Sequence, residues 1–176
     1  MAFVNDKHNL VKGFGHPETP VGIKSDTIVK IKTKLWENAA VIDEYIDSAR
    51  NLSGADIQIL KGWKRGIKGP FFVMKHLKNY SVFLDDKNSV LYGIIGISGP
   101  IDEMVPGERL PMIAETVLLP YGDRIIYDSL FLLHNDEIGY EMNKTVQEHY
   151  KEIKEKKGIV ASLAIHEEPK IPQKDE

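Results

Sequence analysis

Between Asp56 and Asp85 the chain carries no acidic residue but six cations, Lys61, Lys64, Arg65, Lys68, Lys75 and Lys78. The net charge is −3, so the rest of the chain sums to −9 and the positive character is local. Trp63, Phe71, Phe72, Tyr80 and Phe83 interleave with these cations. A single-stranded nucleic acid is held by that mixture, cations answering phosphates and aromatic faces answering bases. An acidic protein surface would engage the same cations. On this reading Lys61, Lys64, Arg65 and Lys68 contact phosphate or carboxylate, and Tyr80 stacks if exposed. The same residues also suit a structural role, with the aromatics in a core and the lysines snorkelling from a helix or guarding a strand edge.

A second candidate is a pair of carboxylates, Glu115 and Asp128, each interrupting an apolar face at period two. Their relation depends on the hairpin between them. A loop of Pro120 to Asp123 sets them directly opposite, a loop of Gly122 and Asp123 alone sets them diagonal on one face, and a loop of Pro120 to Gly122 separates them. Opposed carboxylates raise one another's proton affinity, which is how an acid–base pair or a divalent-ion site arises. The competing functional class is therefore a hydrolase, with Glu115 and Asp128 as acid, base or metal ligands and Tyr127 or His76 assisting. The structural alternative turns one carboxylate to solvent or pairs it with a basic side chain such as Arg109 or Arg124.

Other chemistry is excluded by residue type or spacing. With no cysteine, disulfide scaffolds, thiol nucleophiles and cysteine-held metal centres are ruled out. His76, His134 and His149 form no metal-ligand pair in sequence. Gly93-Ile-Ile-Gly96-Ile-Ser98-Gly99-Pro100 satisfies neither the dinucleotide fingerprint nor the nucleophile elbow, and the glycines around Lys61 to Gly69 lack the Lys-Ser/Thr of a phosphate loop. No cofactor and no metal are expected.

The elements that must position these residues follow from periodicity. The first 24 residues, with Gly13, Gly15, Pro17, Pro20 and Gly22, read as a flexible arm. Ile28, Ile31, Leu35, Ala39, Ile42, Ile46 and Ala49 mark an apolar helical face, with a break near Asn38. Ser53 and Asp56 suggest a capping box opening a second helix through Ile57, Leu60, Trp63 and Ile67, stopped by Gly66, Gly69 and Pro70. Strands are expected at 71–74, 80–84, 90–97, 112–119 and 125–133, where β-branched and aromatic residues concentrate between turn formers. Val90 to Ile97 is apolar on both faces, and Gly93 and Gly96 there admit a close neighbour or a bend. A last amphipathic helix runs from about Glu141 to Lys157, ended by Gly158, with Ile159 to Ile165 able to dock and a disordered tail beyond residue 165.

At 176 residues and 42% hydrophobic content the chain supports one sizeable core. The expected fold is α+β: N-terminal helices packed on a curled antiparallel sheet or small barrel of four to five strands, with a C-terminal helix, forming a single domain over 25–165. The absence of a basic–apolar leader and of any apolar run near ~18 residues points to a cytoplasmic protein without a membrane partner. From Trp63-Lys64 through Phe71-Phe72-Val73-Met74-Lys75-His76-Leu77 and Tyr92-Gly93 to Glu115-Thr116-Val117-Leu118-Leu119-Pro120 and Ile125-Ile126-Tyr127-Asp128, the chain resembles uncharacterised bacterial proteins. That resemblance implies a bacterial, cytosolic setting and carries over no catalytic residue. The leading functional expectation is a non-enzymatic binding module for nucleic acid or an acidic protein.

Overall fold

A computed structural model describes residues 1–12, 14, 25–97, 99–128, 131–134 and 138–163. The tail expected beyond residue 165, and residues 13 and 15–24 of the arm expected over 1–24, lie outside the described residues. The chain divides into two compact units, Met1–Lys64 and Arg65–Glu176. The fold is α+β, with helices in the first unit and a barrel and a helix in the second.

The first unit holds α1 (Ala2–His8), α2 (Ser25–Glu37), α3 (Val41–Ser48) and α4 (Gly54–Trp63). Residues 2–8, expected to belong to the arm, are helical, and Val4 is buried with Ile31 and Val41. The chain turns after α1 because Asn9 adopts the left-handed conformation and the Asn5 side chain closes on Val11, donating to its carbonyl at 2.9 Å and accepting from its amide at 2.8 Å. The break near Asn38 is present between α2 and α3, where the Asn38 side chain accepts from the Ala40 amide at 3.1 Å. The capping box of α4 is also formed: Ser53 Oγ accepts from the Asp56 amide at 3.2 Å and the Asp56 carboxylate accepts from the Ser53 amide at 2.9 Å. The Ser53 hydroxyl and amide donate to Asp56 and hold its carboxyl below the usual range.

The second unit is a closed five-stranded barrel formed by β1 (Ile67–His76), β2 (Ser81–Asp85), β3 (Val90–Ile94), β4 (Met112–Tyr121) and β5 (Arg124–Tyr127). The cyclic order is β1-β2-β3-β5-β4, shut by pairing of β1 with β4 from Ile67↔Leu118 to Val73↔Met112. Three seams of the sheet and the closing one are antiparallel, and β3 meets β5 in parallel at Ile94↔Ile125, so the barrel is mixed. A short β6 (Leu132–His134) adds to the first half of β4, and α5 (Tyr140–Lys157) follows. β1 begins at Ile67, four residues earlier than expected, and includes Pro70. In that stretch β1 is paired only with β4, and a strand with one neighbour tolerates a residue without an amide hydrogen.

Alternation assigns the barrel's two surfaces. Phe71, Val73, Phe83, Tyr92, Ile94, Ala114, Leu118, Ile125 and Tyr127 fill the interior. Met74, Val82, Leu84 and Leu91 form an outer apolar face against Val146 and Ile153 of α5. Polar tethers fix the helix there: His149 Nδ1 lies 2.7 Å from Asp86 Oδ1, and Lys157 donates to the Ser89 carbonyl at 3.1 Å. After Gly158 the chain docks on β3, the Val160 amide donating to Leu91 at 2.8 Å and its carbonyl accepting from Gly93 at 2.9 Å.

Burial pushes the hydroxyls of Tyr92 and Tyr127 above the ordinary tyrosine range, and the charges of Asp85 and Asp128 push the same way. In the unfolded chain a tyrosine ionises near pH ~10. The stability tied to the neutral rings is therefore intact below that pH and drains as pH rises from it through the higher folded values. The thermal midpoint should stay level from neutral pH to about 9 and then fall. Tyr92→Phe with Tyr127→Phe should flatten the fall, and an unchanged alkaline slope in that double variant would refute the assignment.

Candidate functional site

One extra residue in β1 shapes the end of the barrel. Val73 pairs with Phe83, but Lys75 pairs with Val82, so Met74 is a bulge. Met74 enters the outer apolar cluster and Lys75 is exposed, while the shifted count sets His76 beside the buried Ser81. His76 Nε2 lies 2.7 Å from the Val105 carbonyl and Nδ1 lies 2.7 Å from Ser81 Oγ. A carbonyl only accepts, so Nε2 carries the hydrogen and, in the neutral ring, Nδ1 accepts from the Ser81 hydroxyl. This side chain ties the segment after β3 back to the β1–β2 corner.

Above that tie is a cleft of about 580 Å³, walled by residues 76–81 on one side and by 94–97 and 99–102 on the other. Its floor is polar, with His76 and Ser81. Leu77 and Ile97 stand at the surface, Ile97 being 64% exposed. Lys78 and Asn79 are exposed, and Asp102 is an exposed acid in the lining. Tyr80 is half-buried: it lines the cleft and packs on the outer cluster. A Cβ added to Gly93 would come within 2.9 Å of the Tyr80 ring, so glycine lets the ring lie on the β3 backbone.

The cationic window divides. Lys61 and Lys64 stand exposed at the end of α4 in the first unit, and Lys64 pairs with Asp43 at 2.5 Å. Arg65, Lys68 and Tyr80 belong to the second unit, Lys68 on β1 opposite Val117. Lys75 and Lys78, also exposed, continue that series to the cleft. The sequence singled out Tyr80 here but not the cleft. Its one available signal was the polar pair His76 and Ser81 at positions where neighbouring strand residues are apolar.

The hairpin after β4 has the two-residue loop Gly122 and Asp123, since Tyr121 pairs with Arg124. Gly122 takes φ +59° at the first turn position, where a side chain would be strained. Glu115 and Asp128 are therefore in diagonal register, and each has a donor of its own. Asp128 accepts from the Thr116 hydroxyl at 2.9 Å and from the Val117 amide at 3.3 Å. Exposed Glu115 lies 2.9 Å from His134 Nε2. Among the described residues no cluster of three or more histidines and carboxylates could hold a metal ion, and no helix is long and apolar enough to cross a membrane.

No family model, no curated protein and no solved structure matches this chain.

Proposed function

We propose that the barrel unit is a binding module for an anionic, chain-like ligand, a nucleic-acid single strand or an acidic protein segment, taken at the barrel end between residues 77–80 on one side and 95–97 and 99–102 on the other. The observation that carries this reading is the cleft itself, open at the end of β1 next to exposed Lys75, with Lys78 in its lining and no acid between Arg65 and Leu84. Five-stranded Greek-key barrels hold oligonucleotides and oligosaccharides on the β2–β3 face and adjoining loops. That is an analogy of architecture, and the side chains must carry the function. Here the outer β2–β3 face is covered by α5, which leaves the loop end for a ligand. Tyr80 supplies the ring and Lys75 and Lys78 supply charge, and Glu115 and Asp128 have no part in it.

The test is fluorescence anisotropy with labelled oligo(dT) and with a labelled polyglutamate peptide, from low to physiological salt. Affinity should fall as salt rises, and Lys75→Gln and Lys78→Gln should each reduce the logarithmic salt slope for oligo(dT) by about one. Lys61→Gln asks separately whether the helical unit contributes. Absence of binding by both probes at low salt would remove the reading.

A further inference from the structure

We infer that the occupant of the cleft is a protein segment in which acidic residues flank an aliphatic side chain; this rests on the binding reading above and narrows it. Three observations favour a peptide over a nucleic acid. The polar floor is already engaged, His76 with Ser81 on one nitrogen and with Val105 on the other, so it offers few directional partners for reading a base edge. The one tyrosine among the described lining residues, Tyr80, is seated on Gly93 and packed into the outer cluster, whereas Leu77 and Ile97 are exposed aliphatics of the kind that bury a leucine or isoleucine.

Charge gives the third argument. Residues 65–176 hold 14 Lys and Arg against 18 Asp and Glu, so a long polyanion meets net repulsion from this unit. A short acidic segment feels only the local field of Lys75 and Lys78, within about one Debye length of the cleft mouth. Asp102 opposes it and should weaken binding.

Amide NMR titration of the full chain separates the outcomes, using the end-blocked hexapeptide EELIEE, its counterpart EEGGEE, and oligo(dT). EELIEE should shift the amides of Leu77, Asn79, Ile97 and Gly99 and bind about tenfold or more tighter than EEGGEE. Ile97→Asp should lose that advantage with the remaining spectrum unchanged, Lys78→Gln should weaken binding, and Asp102→Asn should strengthen it. If oligo(dT) moves these amides and EELIEE does not, the peptide inference falls and the binding reading stands. If neither probe binds, both fall. Equal binding of EELIEE and EEGGEE would overturn the aliphatic part.

Discussion

Replacing Phe83 by alanine should cost the barrel about 3–5 kcal/mol, the range for deleting a buried aromatic ring. The side chain has no solvent exposure and sits between two rings, its centroid 6.4 Å from Phe71 and 5.7 Å from Phe131. Phe131 in turn stacks on Tyr127 at 4.1 Å, so the deleted ring is one link in an aromatic chain across the interior. A cavity there is lined by strands closed on one another, which limits collapse around it. A domain's net stability is about 5–15 kcal/mol, so between about a fifth and the whole of it would be lost. Both tryptophans, Trp36 and Trp63, belong to the helical unit, and their fluorescence follows that unit. Denaturation of the barrel is better read from the near-ultraviolet signal of its tyrosines. A midpoint displaced by the equivalent of less than about 1 kcal/mol would contradict the interior position assigned to this ring.

Gly96→Ala should deform the cleft. An ideal Cβ at this position would lie 1.9 Å from the Gly99 carbonyl oxygen and 3.1 Å from its carbon, and both are backbone atoms that no rotamer change can remove. The backbone at Gly96 or at Gly99 must shift, at a cost of about 1–3 kcal/mol or more. Because Gly96 and Gly99 both line the cleft, binding of any cleft ligand should fall together with stability. Gly54→Ala is the matched control: a Cβ there meets nothing within 4 Å, and in the first turn of α4 the substitution should be neutral or stabilising by up to about 1 kcal/mol. Unchanged cleft amides and an unchanged thermal midpoint in Gly96→Ala would show the loop to be more compliant than its geometry implies.

Local signals were legible in the sequence where their causes are local. The Ser53–Asp56 box, the break at Asn38 and the Gly158 stop each depend on a few neighbouring residues, and all three are present. The strand-rich middle was equally visible, and it forms the barrel. What depends on distant partners was hidden. Nothing near Val90 specifies that its strand will meet β5 in parallel, and nothing near Met74 shows that Val73 and Lys75 will oppose adjacent residues of β2. The start of β1 was misjudged because Gly69 and Pro70 weaken strand propensity locally, while seven residues of pairing with β4 override them. Helix α1 was passed over because the glycines and prolines that follow it dominated the reading of that segment.

The candidate site was legible in fewer of its parts. The cations and Tyr80 stood out as residue types, but they were read as one continuous surface. The division of the chain falls between Lys64 and Arg65, where helix gives way to strand. The two carboxylates left three registers open, and the choice among them rests on the backbone of Gly122. The cleft required knowing which loops meet at one end of a closed barrel, which no periodicity encodes.

The wedging of β5 between β3 and β4 bears on how this chain emerges from a ribosome. The first three strands can zip together as soon as they leave the exit tunnel, but the ring stays open until the final hairpin arrives to fill the three remaining seams. Until then β1 and β3 each present an unsatisfied border to solvent or to another nascent chain. Synthesis stalled before Tyr127 would leave an adhesive half-product, and a holding chaperone would be most useful in that interval.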